Sequence, residues 1–207
     1  ITLLSAEAQI EKLAGPRVGV TMITPGSFSS IIRGDVSMFS DEVREEWTGS
    51  TGKYGAAITQ YGWQWESRFA DGGNVTGIVE WIALVGGMEK GYFLPSVSSM
   101  VGLRTDKGLE FAVGPNLSFG GIAMVFGAGY NFKFGKLNVP VNIAYVPSLD
   151  KTYNHDAEWD YNNRVDPDGI PYNEDDYYED VLISPAYSVT HPTGARISVM
   201  IGFNLSK

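Results

Sequence analysis

The sequence predicts an all-β chain, an eight-stranded antiparallel up-and-down transmembrane β-barrel with a short N-terminal helix and two long extracellular loops. Three observations predict it. The first is a sustained period of two across residues 109–145. Leu109, Phe111, Val113, Pro115 and Leu117 alternate with Glu110, Ala112, Gly114 and Asn116, and two further runs repeat the pattern after short Gly-containing turns. Runs of nine or more residues exceed the usual soluble strand of five to six, and match the roughly 9–11 residues a tilted strand needs to cross a bilayer. The second is the quality of the two faces. One carries Phe111, Phe126, Tyr130, Phe132 and Tyr145; the other is mostly Gly, Ala and Asn with sparse charge. A water-facing strand would carry more Lys, Glu and Asp, and a narrow interior could not hold the aromatics. That favours the apolar face toward lipid and ranks a lipocalin-like soluble carrier last among the readings. The third is the sorting of connections by length, described below.

Composition narrows the function classes. With 207 residues and no cysteine, the chain allows one substantial domain (residues 1–207) and no disulfide or thiolate chemistry. No run approaches 18 uninterrupted apolar residues, which bears on helices only, since transmembrane strands have near-average hydropathy. The net charge of −9 argues against a nucleic-acid partner. Its placement says more. Residues 148–193 hold 11 acidic and 2 basic side chains, whereas the rest of the chain holds 13 of each. All the excess charge sits in one segment.

Taken in order, residues 1–15 read as a periplasmic amphipathic helix, with Ser5 at its N-cap and Gly15 at its end. The competing reading is the end of a secretory signal, with Ala6-Glu7-Ala8 as its cleavage site. The first strand covers residues 17–24. Residues 25–56 form the first long loop, where Ser40-Asp41-Glu42 would cap a helix running to Trp47. The second strand, 57–69, puts Tyr61, Trp63 and Trp65 on one face and Gln60, Gln64, Glu66 and Arg68 on the other. Asp71-Gly72-Gly73-Asn74 is a tight-turn signature. Strands three and four cover 76–85 and 92–104, followed by the three strands of residues 109–145. Beyond the acidic loop, 148–193, the eighth strand runs from Ala195 to Leu205, alternating Ile197, Val199 and Ile201 with Arg196, Ser198 and Met200. Both long loops then fall at one end of the barrel and the tightest turns at the other. This is the asymmetry of bacterial outer-membrane barrels, with both termini periplasmic. Pro95, Pro115, Pro140 and Pro147 lie near strand ends, where a missing ladder hydrogen bond is tolerable.

The strands resemble the small eight-stranded outer-membrane proteins of Gram-negative bacteria. GPRVGVT (15–21), QYGWQWESRF (60–69), GLEFAVGPNLS (108–118) and GFNL (202–205) are similar to barrel proteins of the Bacteroidota. The resemblance leaves out both long loops, and it departs where Phe203-Asn204-Leu205-Ser206-Lys207 stands in place of a terminal aromatic. It implies an outer-membrane location. It implies no single activity, since such barrels include scaffolds, adhesins, small enzymes and subunits of assemblies.

Three constellations are candidates for function. The inward face collects Arg17, Arg68, Arg104 and Arg196 with Glu66, Glu80 and Glu110, a charge network expected to satisfy itself and fill the lumen. In the acidic loop, Asp166, Asp168, Glu174 and Asp176 supply hard oxygen ligands around Gly169, suited to calcium but outside the EF-hand spacing. His191 with Ser188 or Ser184 could imitate a lipid hydrolase. His155 and His191 are the only histidines, and no other cofactor is expected. The loop's tyrosines and Trp159 suit contact with a protein surface. The expectation is a non-enzymatic structural or accessory subunit of a larger outer-membrane assembly. Its partners would be outer-membrane lipid and other outer-membrane or surface proteins. A small lipid-modifying enzyme and a stand-alone surface adhesin or ligand binder are the alternatives.

Overall fold

The computed structural model describes residues 13–37, 47, 49–165 and 179–205. Seven strands follow the period-two segments: β1 (Gly15–Ile23), β2 (Ala56–Asp71), β3 (Val75–Gly86), β4 (Leu94–Thr105), β5 (Leu109–Ser118), β6 (Gly121–Phe134) and β7 (Leu137–Val146). Each pairs antiparallel with the next. The last stave is β12 (Arg196–Gly202), continued by β13 (Asn204–Leu205). It pairs with both β7 and β1 and closes an eight-stranded barrel. The break at Phe203 lies beside Pro140, which has no N–H to give the ladder; the register is the same on either side of it.

Alternation along every stave gives the barrel an inverted polarity. Trp65 and Trp81, directly opposite across β2 and β3, are 52% and 51% exposed. Phe111, Phe126 and Ile122 also stand on the outer surface. The interior buries Gln60, Gln64, Asn116, Asn131 and Asn138 together with charged groups. Among the described residues no helix is long and apolar enough to cross a membrane, which says nothing of a strand barrel.

One end of the barrel carries only tight turns, at Gly72–Asn74, Asp106–Gly108 and Gly135–Lys136, and the strands there start and finish beside Leu13 and β13. The other end carries the long excursions, as expected, but they are built differently from simple loops. Residues 27–33 form helix α1, which the sequence reading missed. The expected helix over 40–47 lies outside the described residues apart from Trp47, as does nearly all of the N-terminal 1–15 segment. The acidic segment is a β-ribbon. Its strands are β8 (Asp150–His155), β9 (Glu158–Val165), β10 (Glu179–Ser184) and β11 (Tyr187–Pro192), with β8 paired to β11 and β9 to β10. Lys151, Tyr153 and His155 are half-buried while Asp150, Thr152 and Asn154 are exposed. The period of two is therefore present, but its two faces differ little in polarity, and the charge run concealed it.

Candidate functional site

Arg104, near the end of β4, organises the interior. Its Nη1 and Nη2 donate to the two carboxylate oxygens of Glu66 at 2.7 and 2.6 Å, and its Nε donates to Glu110 at 2.7 Å. Glu80 lies 3.8 Å from Nη2 and accepts a hydrogen bond from Gln64. The register explains the convergence: Glu66 faces Glu80 across β2 and β3, and Arg104 faces Glu110 across β4 and β5. Arg17 joins through Gln64, donating from Nε at 2.8 Å, and donates to the Leu13 carbonyl at 2.9 Å. Leu13 returns its own N–H to Glu66 at 3.2 Å, so the chain just ahead of β1 is tied into the cluster. Asn142 donates to Glu110 at 3.4 Å.

Space for this network comes from small residues opposite large ones. Gly202 is the register partner of Arg17, and a Cβ there would collide with the Arg17 guanidinium and with Pro140. A planar guanidinium is the group for such a site, because its fork matches two carboxylates at fixed angles. The cluster holds three carboxylates and two guanidiniums, all buried. Charges so buried persist only when paired and hydrogen-bonded.

Five of the seven predicted lumen residues therefore meet: Arg17, Glu66, Glu80, Arg104 and Glu110. The other two do not. Arg68 points inward nearer the tight-turn end, and its Nε has no hydrogen-bond partner among the described residues. Arg196 sits at the opposite end of the barrel, where it donates to Ser118. Counting inward arginines in sequence could not separate these levels along the axis. Asp166, Asp168, Glu174 and Asp176 lie outside the described residues.

No family model, characterised protein or solved structure matches the chain. The site is thus read from its own geometry.

At the long-excursion end, α1 is packed into the barrel mouth. Phe28, Ile31 and Ile32 follow helical spacing, and Ser27–Ile32 are all buried. Phe28 and Ile32 pack on Ile23, Ile58 and Leu94. The small polar residues are satisfied locally: Ser29 Oγ accepts from the Gly26 N–H and donates to its carbonyl, both at 2.9 Å. Gly34, at φ 79°, ends the helix in the left-handed region that favours glycine. The signal for this helix was present in Phe28, Ile31, Ile32 and Gly34, but seven residues are too few to stand out by periodicity.

Between α1 and the Arg104 cluster the lumen keeps a cavity of about 100 Å³. Eight strands were expected to leave side-chain space only. The cavity survives because Ala112, Gly127 and Ala144, neighbours across β5, β6 and β7, fill less than the barrel's width.

The ribbon leans on the plug at its base. Tyr153 packs beside Ile31 and Val36, and His191 is buried with its ring stacked on Trp47 at 4.3 Å. Ser188 donates instead to Asn154 on β8 at 2.7 Å. Ser188 and His191 are three residues apart on one strand and so project to opposite faces. Higher up, Trp159 and Leu182 face each other across β9 and β10, and both are exposed, as is Ile183.

Proposed function

We propose that the protein is a non-enzymatic outer-membrane barrel that serves as a structural or accessory subunit of a larger outer-membrane assembly. One observation carries the membrane half of this reading: the closed barrel buries amides and ion pairs and exposes tryptophans and phenylalanines. Water would favour the reverse, whereas hydrocarbon favours this arrangement, with aromatics suited to the interfacial zones. Both termini would then be periplasmic, and α1 and the acidic ribbon would stand outside the cell.

The assembly half rests on the ribbon. It carries the chain's whole excess of negative charge, yet it displays Trp159, Leu182, Ile183 and Tyr187. A two-stranded ribbon is marginal alone in water, and exposed aromatics beside open strand edges suit a protein partner. A non-catalytic role is supported by the engagement of the histidines in ring stacks, His155 on Tyr187 and His191 on Trp47.

Extraction of the native membrane in mild detergent, with size analysis and mass spectrometry, tests the reading. A defined larger species containing this chain is the expected result. Recovery solely as the free chain of 22.6 kDa would move the weight to a stand-alone surface binder. Purification without detergent would overturn the membrane reading itself.

A further inference from the structure

We propose that the lumen cavity is a binding site for a short-tailed anionic amphipath, an alkyl carboxylate, with its head at Arg196 and its tail between α1 and the Arg104 cluster. The cavity wall is mostly apolar, with Phe28, Leu94, Met100 and Val125 beside the polar Ser98 and Asn116. A cavity of about 100 Å³ is below the ~150 Å³ that holds benzene in an engineered apolar core, so it suits a short tail rather than a long one. Ser118, Phe119 and Arg196 line the same cavity where it reaches the β5–β6 turn.

At the mouth, individual cations stand without a carboxylate among the described residues. Arg196 has Ser118 as its hydrogen-bond partner, and no carboxylate among the described residues pairs with it. Lys151 of the ribbon lies against the β5–β6 turn, its Cε 3.8 Å from the Cβ position of Gly121, and it too has no acidic partner among the described residues. Arg196 stands beside the same turn, with Nη1 3.7 Å from the Cβ position of Gly120. Two cations and a hydroxyl thus flank one opening. Arg196 therefore orients an anionic amphipath one way: head at the mouth, tail inward. A cationic amphipath would meet Arg196 first.

This inference goes beyond the proposed role in an assembly, and its failure would leave that role standing. The methionines provide the test. Met100 and Met200 are buried and line the cavity, while Met22 and Met124 lie on the outer surface. In protein labelled with methyl-13C methionine and held in neutral maltoside micelles, sodium pentanoate should shift the Met100 and Met200 methyl signals saturably. Met22 and Met124 should move only linearly, as for partition into the micelle. Decanoate, whose tail exceeds the cavity, should bind more weakly than pentanoate, and pentyltrimethylammonium should leave Met100 and Met200 unmoved. Arg196→Gln should weaken pentanoate at least about tenfold, the loss of one charge-assisted contact, and Arg196→Lys should restore most of it. Equal binding of pentyl phosphate would overturn the choice of a carboxylate head. Shifts confined to Met22 and Met124, equal shifts with the cation, or unchanged affinity in Arg196→Gln would overturn the proposal.

Discussion

Arg104 holds Glu66 in a two-pronged grip, Nη1 to Oε1 at 2.7 Å and Nη2 to Oε2 at 2.6 Å, at a depth where neither side chain reaches solvent. Glu110 receives the remaining edge of the same guanidinium. Removing one partner leaves a buried charge uncompensated, a loss of about 3–5 kcal/mol. Glu110→Ala should lower the unfolding midpoint in detergent accordingly, with Glu66→Ala at least as severe because both its oxygens are engaged. An unchanged midpoint in both variants would mean that the cluster is well hydrated.

Gly202 and Arg17 make a second pair that stands or falls together. Gly202→Ala places a methyl group against the guanidinium, and overpacking of this kind costs about 1–3 kcal/mol. Arg17→Gln removes the closer of the two obstacles, the other being Pro140, so the double variant should lose less than the two single losses added together. Strict additivity in a denaturation series would refute the contact.

The ribbon should be dispensable for closing the barrel. Val146 and Arg196 are already register partners across β7 and β12, so the ladder that seals the barrel needs nothing above them. A chain in which a short Gly-containing turn replaces residues 150–192 should keep heat-modifiable migration on a detergent gel. Loss of that behaviour would assign the ribbon a role in folding.

The lumen is obstructed at two levels, by α1 at the mouth and by the Arg104 cluster below. The protein reconstituted in planar bilayers should give no steady single-channel current, and Phe28→Ala, which loosens only the upper obstruction, should give none either. Steady current from the unaltered protein would contradict the structure.

A pH response is expected at the turn between β3 and β4. The Thr59 hydroxyl donates to Glu89 at 2.5 Å and the Thr59 N–H at 2.9 Å, which holds this exposed carboxyl below the ordinary glutamate value of 4.5. Because the folded value is depressed, the anchoring is complete above pH 4.5 and is lost as pH falls through the lower folded value. The Thr59 amide signal should titrate in that acid window and stay flat in Glu89→Gln. A flat response in the unaltered protein would remove the contact.

The staves were legible in the chain because a barrel wall makes the same demand at every step. Outward-facing and lumen-facing positions alternate along the staves, broken at the β-bulge between Arg68 and Ala70, so Leu109 through Tyr145 and Ile197 through Ile201 declare their faces from neighbours one and two residues away. The inward identity of Arg17, Glu66, Glu80, Arg104 and Glu110 follows from the same rule. Their meeting does not. Depth along the axis depends on strand stagger, which brings Arg104 level with Glu66 and sends Arg196 to the other end, although both are simply inward arginines in sequence. Helix α1 and the ribbon were hidden for a related reason. Seven residues hold too few turns for a helical period to emerge, and an acidic ribbon in water has no strong contrast between its faces. Sequence alone determined the strand number, the faces and the side of the long excursions, all set by local alternation. Tertiary structure decided which charges pair, where the plug sits and that a cavity remains, because these depend on register around a closed ring.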